Sequence, residues 1–497
     1  MRTFAAAILA AAILASCGSG LAADPVWEDA RLPVVVAPGS TTVRMLFVGD
    51  VMLGRSVAPI VAADPDGLLA EVRHVISQAD IALLNLESPL THGRHESDTP
   101  HALEADPAAA PLLARAGFDV AALANNHSGD AGLRGIRDTV EALVDAGMRA
   151  IGVGVDGDTA AAPLMVETGS IRVALLAFDL TWQGPAAGAE PGLAEWETAT
   201  VRNAVAAAQA AADVVVVGIH GGIEYRSAGG DPIVSPALTL LAELGVDVVW
   251  GHGPHVVQPL TTMPAGNGRE LVAASSLGNF LFDQRAGETG TGAVFEVLAD
   301  SDGVIAYRIG STDHSDLRPA FLGWEPPTGN AVVIGGEWWE LVRVDDWAES
   351  ATVPVATAGF PHGDVFAGVE GDLTGDGNPE VIVSYRSPFV ANLGNRGNED
   401  LYADARGRAA HFGLFEPGSW RKIWAAGTVP RPIATLQACG RVLGFGYSTL
   451  DDLRVVATGA AIWRGFGFSF MPDLEGSGDL HCRDIDDDGT AELVVAR

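Results

Sequence analysis

From residue 43 onward, short β-branched runs alternate with longer Ala- and Leu-rich stretches. Apolar runs at 43–48, 81–86, 120–124, 150–155, 173–178, 214–219, 246–250 and 271–275 predict strands. The segments 108–116, 135–145, 198–212 and 235–244 repeat apolar residues at helical spacing and predict helices. Strands alternating with helices argue for an α/β domain over 43–312. Residues 18–42 are rich in Ala, Pro and Gly without periodicity and read as a flexible tether. In 313–330, Pro319, Pro326 and Pro327 predict a linker. Beyond it the texture changes. Runs at 332–334, 340–344, 381–385, 453–457 and 493–495 have no comparable helices between them, which predicts a mainly-β module over 331–497.

Residues 1–17 carry an early charge at Arg2, an apolar run to Leu14 and then Leu14-Ala15-Ser16-Cys17. The run is short for a bilayer span, so it reads as a cleaved signal. Its last four residues have the form of a lipoprotein cleavage box, in which Cys17 becomes the lipidated first residue. Ordinary secretory cleavage near Ala22-Ala23 is the alternative, and either route exports the chain. No later stretch approaches the length of a spanning helix. Setting Cys17 aside leaves Cys439 and Cys482. An exported protein permits a disulfide between them, and two buried thiols are the other reading.

At 497 residues the chain has room for about two to four domains. Its 48% hydrophobic content excludes a long disordered protein. A formal charge of −33 repels a phosphate backbone and excludes nucleic acid as an expected partner.

Polar residues gather where the predicted strands end, the place open α/β sheets put their sites. The clusters are Gly49-Asp50, Asn85-Leu86-Glu87, Asn125-Asn126-His127 with Asp130, His220 with Glu224-Tyr225, and His252 with His255. Carboxylate, carboxamide and imidazole without thiolate suit Mn, Fe, Zn or Mg. Taken singly, each cluster has a plainer reading: Asp130, for example, fits the N-cap of the next helix. Five in succession after five strands argue for a metal site, where a pair of ions can activate water.

The segments Gly-Asp-Val-Met-Leu-Gly-Arg (49–55), Asn-Leu-Glu (85–87), Ala-Asn-Asn-His (124–127), 220–225, Gly-His-Gly-Pro-His-Val-Val-Gln-Pro (251–259) and Ser-Leu-Gly-Asn-Phe-Leu-Phe-Asp (276–283) resemble the CapA, or PgsA-like, family of poly-γ-glutamate capsule synthesis proteins. That family is similar to calcineurin-like metallophosphatases, which implies a β-sandwich flanked by helices. The resemblance implies Asp50, Glu87, Asn126, His220, His252 and His255 as metal ligands, with Asn85 as the alternative to Glu87. It implies His127 as the residue that protonates a leaving group. Arg55, Asn85, Asp130, Glu224, Tyr225 and Asn279 fall beside the ligands or against substrate. Met52 stands where phosphatases carry a further histidine, and Gly253 where many relatives carry one.

The C-terminal part repeats an acidic loop. Asp372, Thr374, Asp376, Asn378 and Glu380 recur as Asp484, Asp486, Asp488, Thr490 and Glu492, with glycine at the sixth position each time. Oxygen ligands at alternate positions followed by glycine match the opening of a Ca²⁺ loop. Two acidic hairpin turns are the plainer reading. The pattern resembles FG-GAP or VCBS-type repeats, which implies a propeller-like β module that binds Ca²⁺ at Asp372, Thr374, Asp376, Asn378, Glu380, Asp484, Asp486, Asp488 and Glu492.

These readings converge on an exported, lipid-anchored metallohydrolase of the cell envelope. Its substrate would be a phosphoester or a cell-surface polymer, and its partners the membrane and capsule synthesis or export proteins. A non-catalytic polymer-binding or assembly factor on the same fold is the competing expectation.

Overall fold

A computed structural model of the chain describes residues 25–30, 32–36, 41–96, 101–334 and 337–343. Beyond these it describes 353–354, 364–371, 379–388, 408–415, 422–429, 433–439, 442–448, 455–464, 468–483, 485 and 492–496. The lipidation residue Cys17 and most of the two acidic loops lie outside the described residues.

Two sheets pack face to face. The first has seven strands in the order Val34–Val36, Leu164–Thr168, Ile171–Asp179, Val214–His220, Val248–His252, Glu270–Ala274 and Leu260–Pro264. The four strands from Ile171–Asp179 to Glu270–Ala274 pair in parallel, so their C-terminal ends share one edge. In the second sheet Val43–Val51, Ile81–Leu86, Val120–Ala122 and Arg149–Ile151 are also parallel. Thr291–Asp300 and Gly303–Asp313 continue it antiparallel.

Between the sheets lie Phe47, Leu83, Val173, Val216, Trp250, Val272 and Phe295, all buried. Phe47 packs its ring 5.4 Å from Trp250 and 5.6 Å from Phe295. Burying each such side chain favours the fold by about 1.5–3 kcal/mol. Helices cover the outer faces. In Gly132–Asp145 the buried residues Ile136, Thr139, Val140 and Leu143 recur every three or four positions and form the face turned to the core. Helices Thr198–Ala211 and Val234–Glu243 cover the seven-stranded sheet with Val201, Val205, Leu238 and Leu241.

Three expectations change. The strand after Arg44 runs on through Val51, because Asp50 N–H donates to Gly278 O at 2.9 Å and Met52 N–H to Leu281 O at 2.8 Å. Asp130 is not an N-cap: Ala131 takes that position without a side-chain bond, and Asp130 turns to His127 instead. The 313–330 stretch is more than a linker. Ala320–Trp324 pairs with Gly303–Asp313, and Phe321 and Trp324 pack against a core cluster. The prolines flank this edge strand, where a missing N–H breaks no ladder bond.

The C-terminal part is joined to the first domain by hydrogen bonds. Glu337–Leu341 pairs with Gly303–Asp313, and Ala331–Ile334 with Glu492–Ala496, which extends the second sheet to twelve strands. The other described strands form two five-stranded sheets, with antiparallel pairing throughout. They bury Val369, Ile382, Leu414, Leu443 and Phe445 together. This arrangement does not show the expected propeller-like module. Cys439 and Cys482 are joined by a disulfide, Cα atoms 5.4 Å apart, which ties one small sheet to the large one. Among the described residues no helix is long and apolar enough to cross a membrane.

Candidate metal centre

The parallel strands of both sheets end at one edge, and their last residues meet there. Asp50 lies in the final turn of Val43–Val51, and Glu87 directly follows Ile81–Leu86. His220 and His252 close their strands and are register partners. Asp50, Glu87 and His220 can present ligand atoms within 4.8 Å of one another, all buried. His252 Nδ1 and His255 Nδ1 each lie 3.3 Å from Asp50, on different carboxylate oxygens. Both histidines of the Gly-His-Gly-Pro-His segment therefore reach the centre. His255 holds φ +58 to do so, a conformation that costs a non-glycine residue about 1–3 kcal/mol.

Asn85 is the hub beneath these groups. Its Nδ2 donates to Asp50 Oδ1 at 2.8 Å and lies 3.2 Å from His220 Nδ1. Its Oδ1 accepts from Asn125 Nδ2 at 3.2 Å. Asn125 in turn accepts from the backbone N–H groups of His127 and Ser128, at 3.1 and 2.9 Å. That capture ends the strand at Ala122 and turns the chain so that His127 reaches the centre's rim. Glu87 Oε1 is 3.9 Å from both His127 Nε2 and His220 Nε2. On its other side His127 Nδ1 meets Asp130 Oδ2 at 2.8 Å.

The remaining candidates sit around the mouth. Asn279 Oδ1 meets His255 Nδ1 at 3.0 Å. Arg55 Nε pairs with Asp283 at 3.1 Å. Tyr225 is exposed, its ring 6.2 Å from that of His255, and it accepts from Gln284 Nε2 at 3.3 Å. Glu224 is exposed and adds negative charge near Glu87. Glu380 is buried, and Glu492 Oε2 accepts from Ile485 N–H at 3.0 Å. Asp372, Thr374, Asp376, Asn378, Asp484, Asp486 and Asp488 lie outside the described residues.

Burial raises the cost of ionising Glu87, and the nearby Asp50 charge adds to it, pushing Glu87 up to about 8. Asp50 is held well below the usual carboxylate range: burial opposes this, but His252 and His255 outweigh it. His220 is driven down to about 3, chiefly by burial. His127 is raised despite burial, through Asp130 and Glu87.

The donor set fits a divalent cation. Both Glu87 oxygens, Asn126 Oδ1 and both ring nitrogens of His252 are buried without a hydrogen bond, as is Asp50 Oδ2 apart from its 3.3 Å approach to His255. Several orphaned acceptors converging on one point are costly unless a cation completes them. Met52, by contrast, is fully buried in an apolar cluster.

One carboxylate escaped the sequence reading. Asp179 ends Ile171–Asp179 as the register partner of His220, and it is fully buried. Burial pushes it up to about 6 against bonds from Thr181 N–H and Oγ. The signal was an aspartate closing an apolar run, the same signal that marked Asp50.

Residues 44–284 match the family model of the bacterial capsule synthesis protein PGA_cap. The PGA biosynthesis protein CapA of Bacillus subtilis is 27% identical over 297 residues, covering 59% of this chain and 77% of that protein. The capsule biosynthesis protein CapA of Bacillus anthracis is 30% identical over 251 residues, covering 48% and 60%. A probable polyglutamine synthesis accessory protein of Mycobacterium tuberculosis is 30% identical over 204 residues, covering 36% and 51%. Among solved structures, the calcineurin-like phosphoesterase YfkN from Bacillus subtilis aligns over 58% of this chain and 90% of its own, at 15% identity and a TM-score of 0.32. That last likeness is loose, and the fold description stands on the sheet topology instead. The strand-end cluster lies inside the matched segment, so the 44–284 part of this chain is similar to the bacterial capsule synthesis protein PGA_cap family.

Proposed function

We propose that this protein is an exported, lipid-anchored metallohydrolase that cleaves a phosphoester or a cell-surface polymer in capsule synthesis of the poly-γ-glutamate type. The observation that carries the reading is the set of buried acceptors on Asp50, Glu87, Asn126 and His252 that lack a hydrogen bond, with His127 beside Glu87. A divalent ion held by Asp50, Glu87, Asn126, His220, His252 and His255 would supply Lewis-acid polarisation and a water of lowered pKa. Asn85 fixes the orientation of Asp50 and His220 through its 2.8 and 3.2 Å contacts. Asp130 holds the His127 ring by Nδ1, which leaves Nε2 to deliver a proton to a leaving group. Against burial, Asp130 and Glu87 raise the pKa of His127, which favours the protonated ring.

A specific observation favours the non-catalytic alternative. Met52 stands, fully buried, where calcineurin-like phosphatases carry a histidine, as is usual in the CapA family, so the centre has one nitrogen donor fewer than theirs. A polymer-binding or assembly factor needs the fold and the ion but no turnover.

Metal content of the purified protein, then hydrolysis of a generic phosphodiester with and without Mn²⁺, separates the two. His127→Ala is expected to retain metal and lose turnover by roughly 10²–10⁴-fold. Bound metal without cleavage of any ester, peptide or polymer bond assigns the protein to the binding role. The anchor is tested apart from the chemistry: Cys17→Ser is expected to shift the protein from the membrane pellet to the soluble fraction, and unchanged fractionation removes Cys17 as the anchor.

A further inference from the structure

A cavity of about 460 Å³ opens at the edge of the sandwich, beside strand Leu260–Pro264 of one sheet and Gly303–Asp313 of the other. Part of its wall comes from the loops that carry metal-centre residues. Ser227 lies two residues beyond Tyr225, and Gln258 three beyond His255. The cavity and the centre thus draw residues from the same two loops.

Its chemistry is one-sided. Leu260, Ile309, Pro326 and Pro327 give it apolar walls, while Gln258, Glu325 and Glu340 bring acceptors. Gln258 is 2% exposed. Its Nε2 donates to Arg226 O at 2.7 Å, which fixes the amide, and its Oε1 is left without a partner. A buried acceptor in that state costs about 1–3 kcal/mol unless something donates to it. Glu340 lies opposite Tyr307 in the register and accepts from Thr328 and Gly329 N–H at 2.7 and 2.6 Å. Glu325 accepts from Ser311 Oγ at 2.9 Å.

Arg308 also lines the cavity, but its charge is engaged on the other face of its strand. Tyr307 and Ile309 pack towards the inter-sheet core, so Arg308 between them points to the opposite face. There its Nε pairs with Glu296, and its guanidinium lies 3.8 Å from the Trp324 ring centre and 4.4 Å from that of Trp339. Arg226 is turned to the carbonyls of Ala228, Gly229 and Gly230. Two carboxylates and an amide oxygen among apolar walls disfavour an anion and favour a cation on a hydrocarbon stem.

We infer that this cavity is a subsite for a protonated primary amine on an aliphatic stem, of the kind a diamino-acid side chain presents. The site does not depend on the function proposed above.

The test uses the full chain and calorimetric titration with Nα-acetyl-lysine amide, Nα-acetyl-norleucine amide and Nα-acetyl-glutamate amide. The lysine probe should bind about tenfold or more tightly than the norleucine probe, the worth of one charged hydrogen bond. Glu325→Gln, which keeps the Ser311 contact available, should erase most of that preference, and Gln258→Leu should weaken the lysine probe further. Asp50→Asn disables the metal centre and should leave this affinity unchanged, so a failed hydrolase reading does not touch it. Equal affinity for lysine and norleucine probes, or preference for the glutamate probe, overturns the site. Cadaverine displacing the lysine probe at much lower concentration overturns the assignment to an amino-acid side chain.

Discussion

Two buried clusters of charge share the large sheet, and they are built in opposite ways. Midway along it, Glu296 faces Arg308 across an antiparallel pair, with Arg44 Nε at 3.8 Å and the Trp324 and Trp339 rings enclosing the guanidinium. One carboxylate is balanced by two cations. At the strand ends, Asp50 and Glu87 are two carboxylates in one buried space; burial drives His220 down to about 3, while His255, against burial, is pushed up to about 10 by Glu87 and Asp50. The first cluster contains its own counter-charge, so it can serve as structure. The second leaves both Glu87 oxygens buried without a hydrogen bond, and those open acceptors point to a ligand. Burial alone does not mark a functional site; unbalanced burial does.

The sharpest way to break this comparison is to unbalance the balanced cluster. Arg308→Met leaves Glu296 buried without its main partner and should cost roughly 3–5 kcal/mol of stability. Adding Glu296→Leu should recover most of that loss. A chemical denaturation series on the three proteins checks it, and an Arg308→Met midpoint equal to that of the wild type would remove the pair from the stability account.

A second test extends the question to the acidic loops. If Asp484, Asp486, Asp488 and Glu492 hold Ca²⁺, a hundredfold excess over Kd should stabilise the native state by about 2.7 kcal/mol. Calorimetry of the full chain in Ca²⁺ and in chelator should show the shift, and Asp486→Ala with Asp488→Ala should abolish most of it. Identical melts would reduce these loops to acidic turns.

The smallest effect should come from balancing the unbalanced cluster. Glu87 is raised to about 8 in the metal-free site, against 4.5 for a free glutamate. A raised carboxylate contributes stability that is present below the unfolded value and is lost as pH rises through the folded one. The metal-stripped protein should therefore melt lower as pH climbs from about 5 to 9. Glu87→Gln should flatten that decline by on the order of 1–2 kcal/mol, and should also reduce metal uptake. A metal-free melting curve of the same slope in both proteins would deny Glu87 its isolation.

Much of the first domain was legible in the sequence. Apolar runs such as 81–86 and 214–219 became strands with nearly those bounds, because a two-sided buried parallel strand must be apolar at every position. Asp50, Asn126, His127, His220 and His252 stood out as polar residues closing apolar runs. Asp179 ends its run in the same way, and only its pairing with His220 distinguishes it from an ordinary turn residue.

What tertiary structure decided is pairing between distant segments. The prolines of 313–330 flank an edge strand, and the chain's last strands join a sheet begun at residue 43. Asp130 holds His127 where local pattern suggested a helix cap. The sequence by itself determined which residues are apolar enough to be buried and which polar groups interrupt them, since both follow from local chemistry. Whether a buried acceptor is satisfied, as with Glu296 Oε2, or left open, as with the Glu87 oxygens and Gln258 Oε1, depends on partners far along the chain, and only the folded arrangement supplies those.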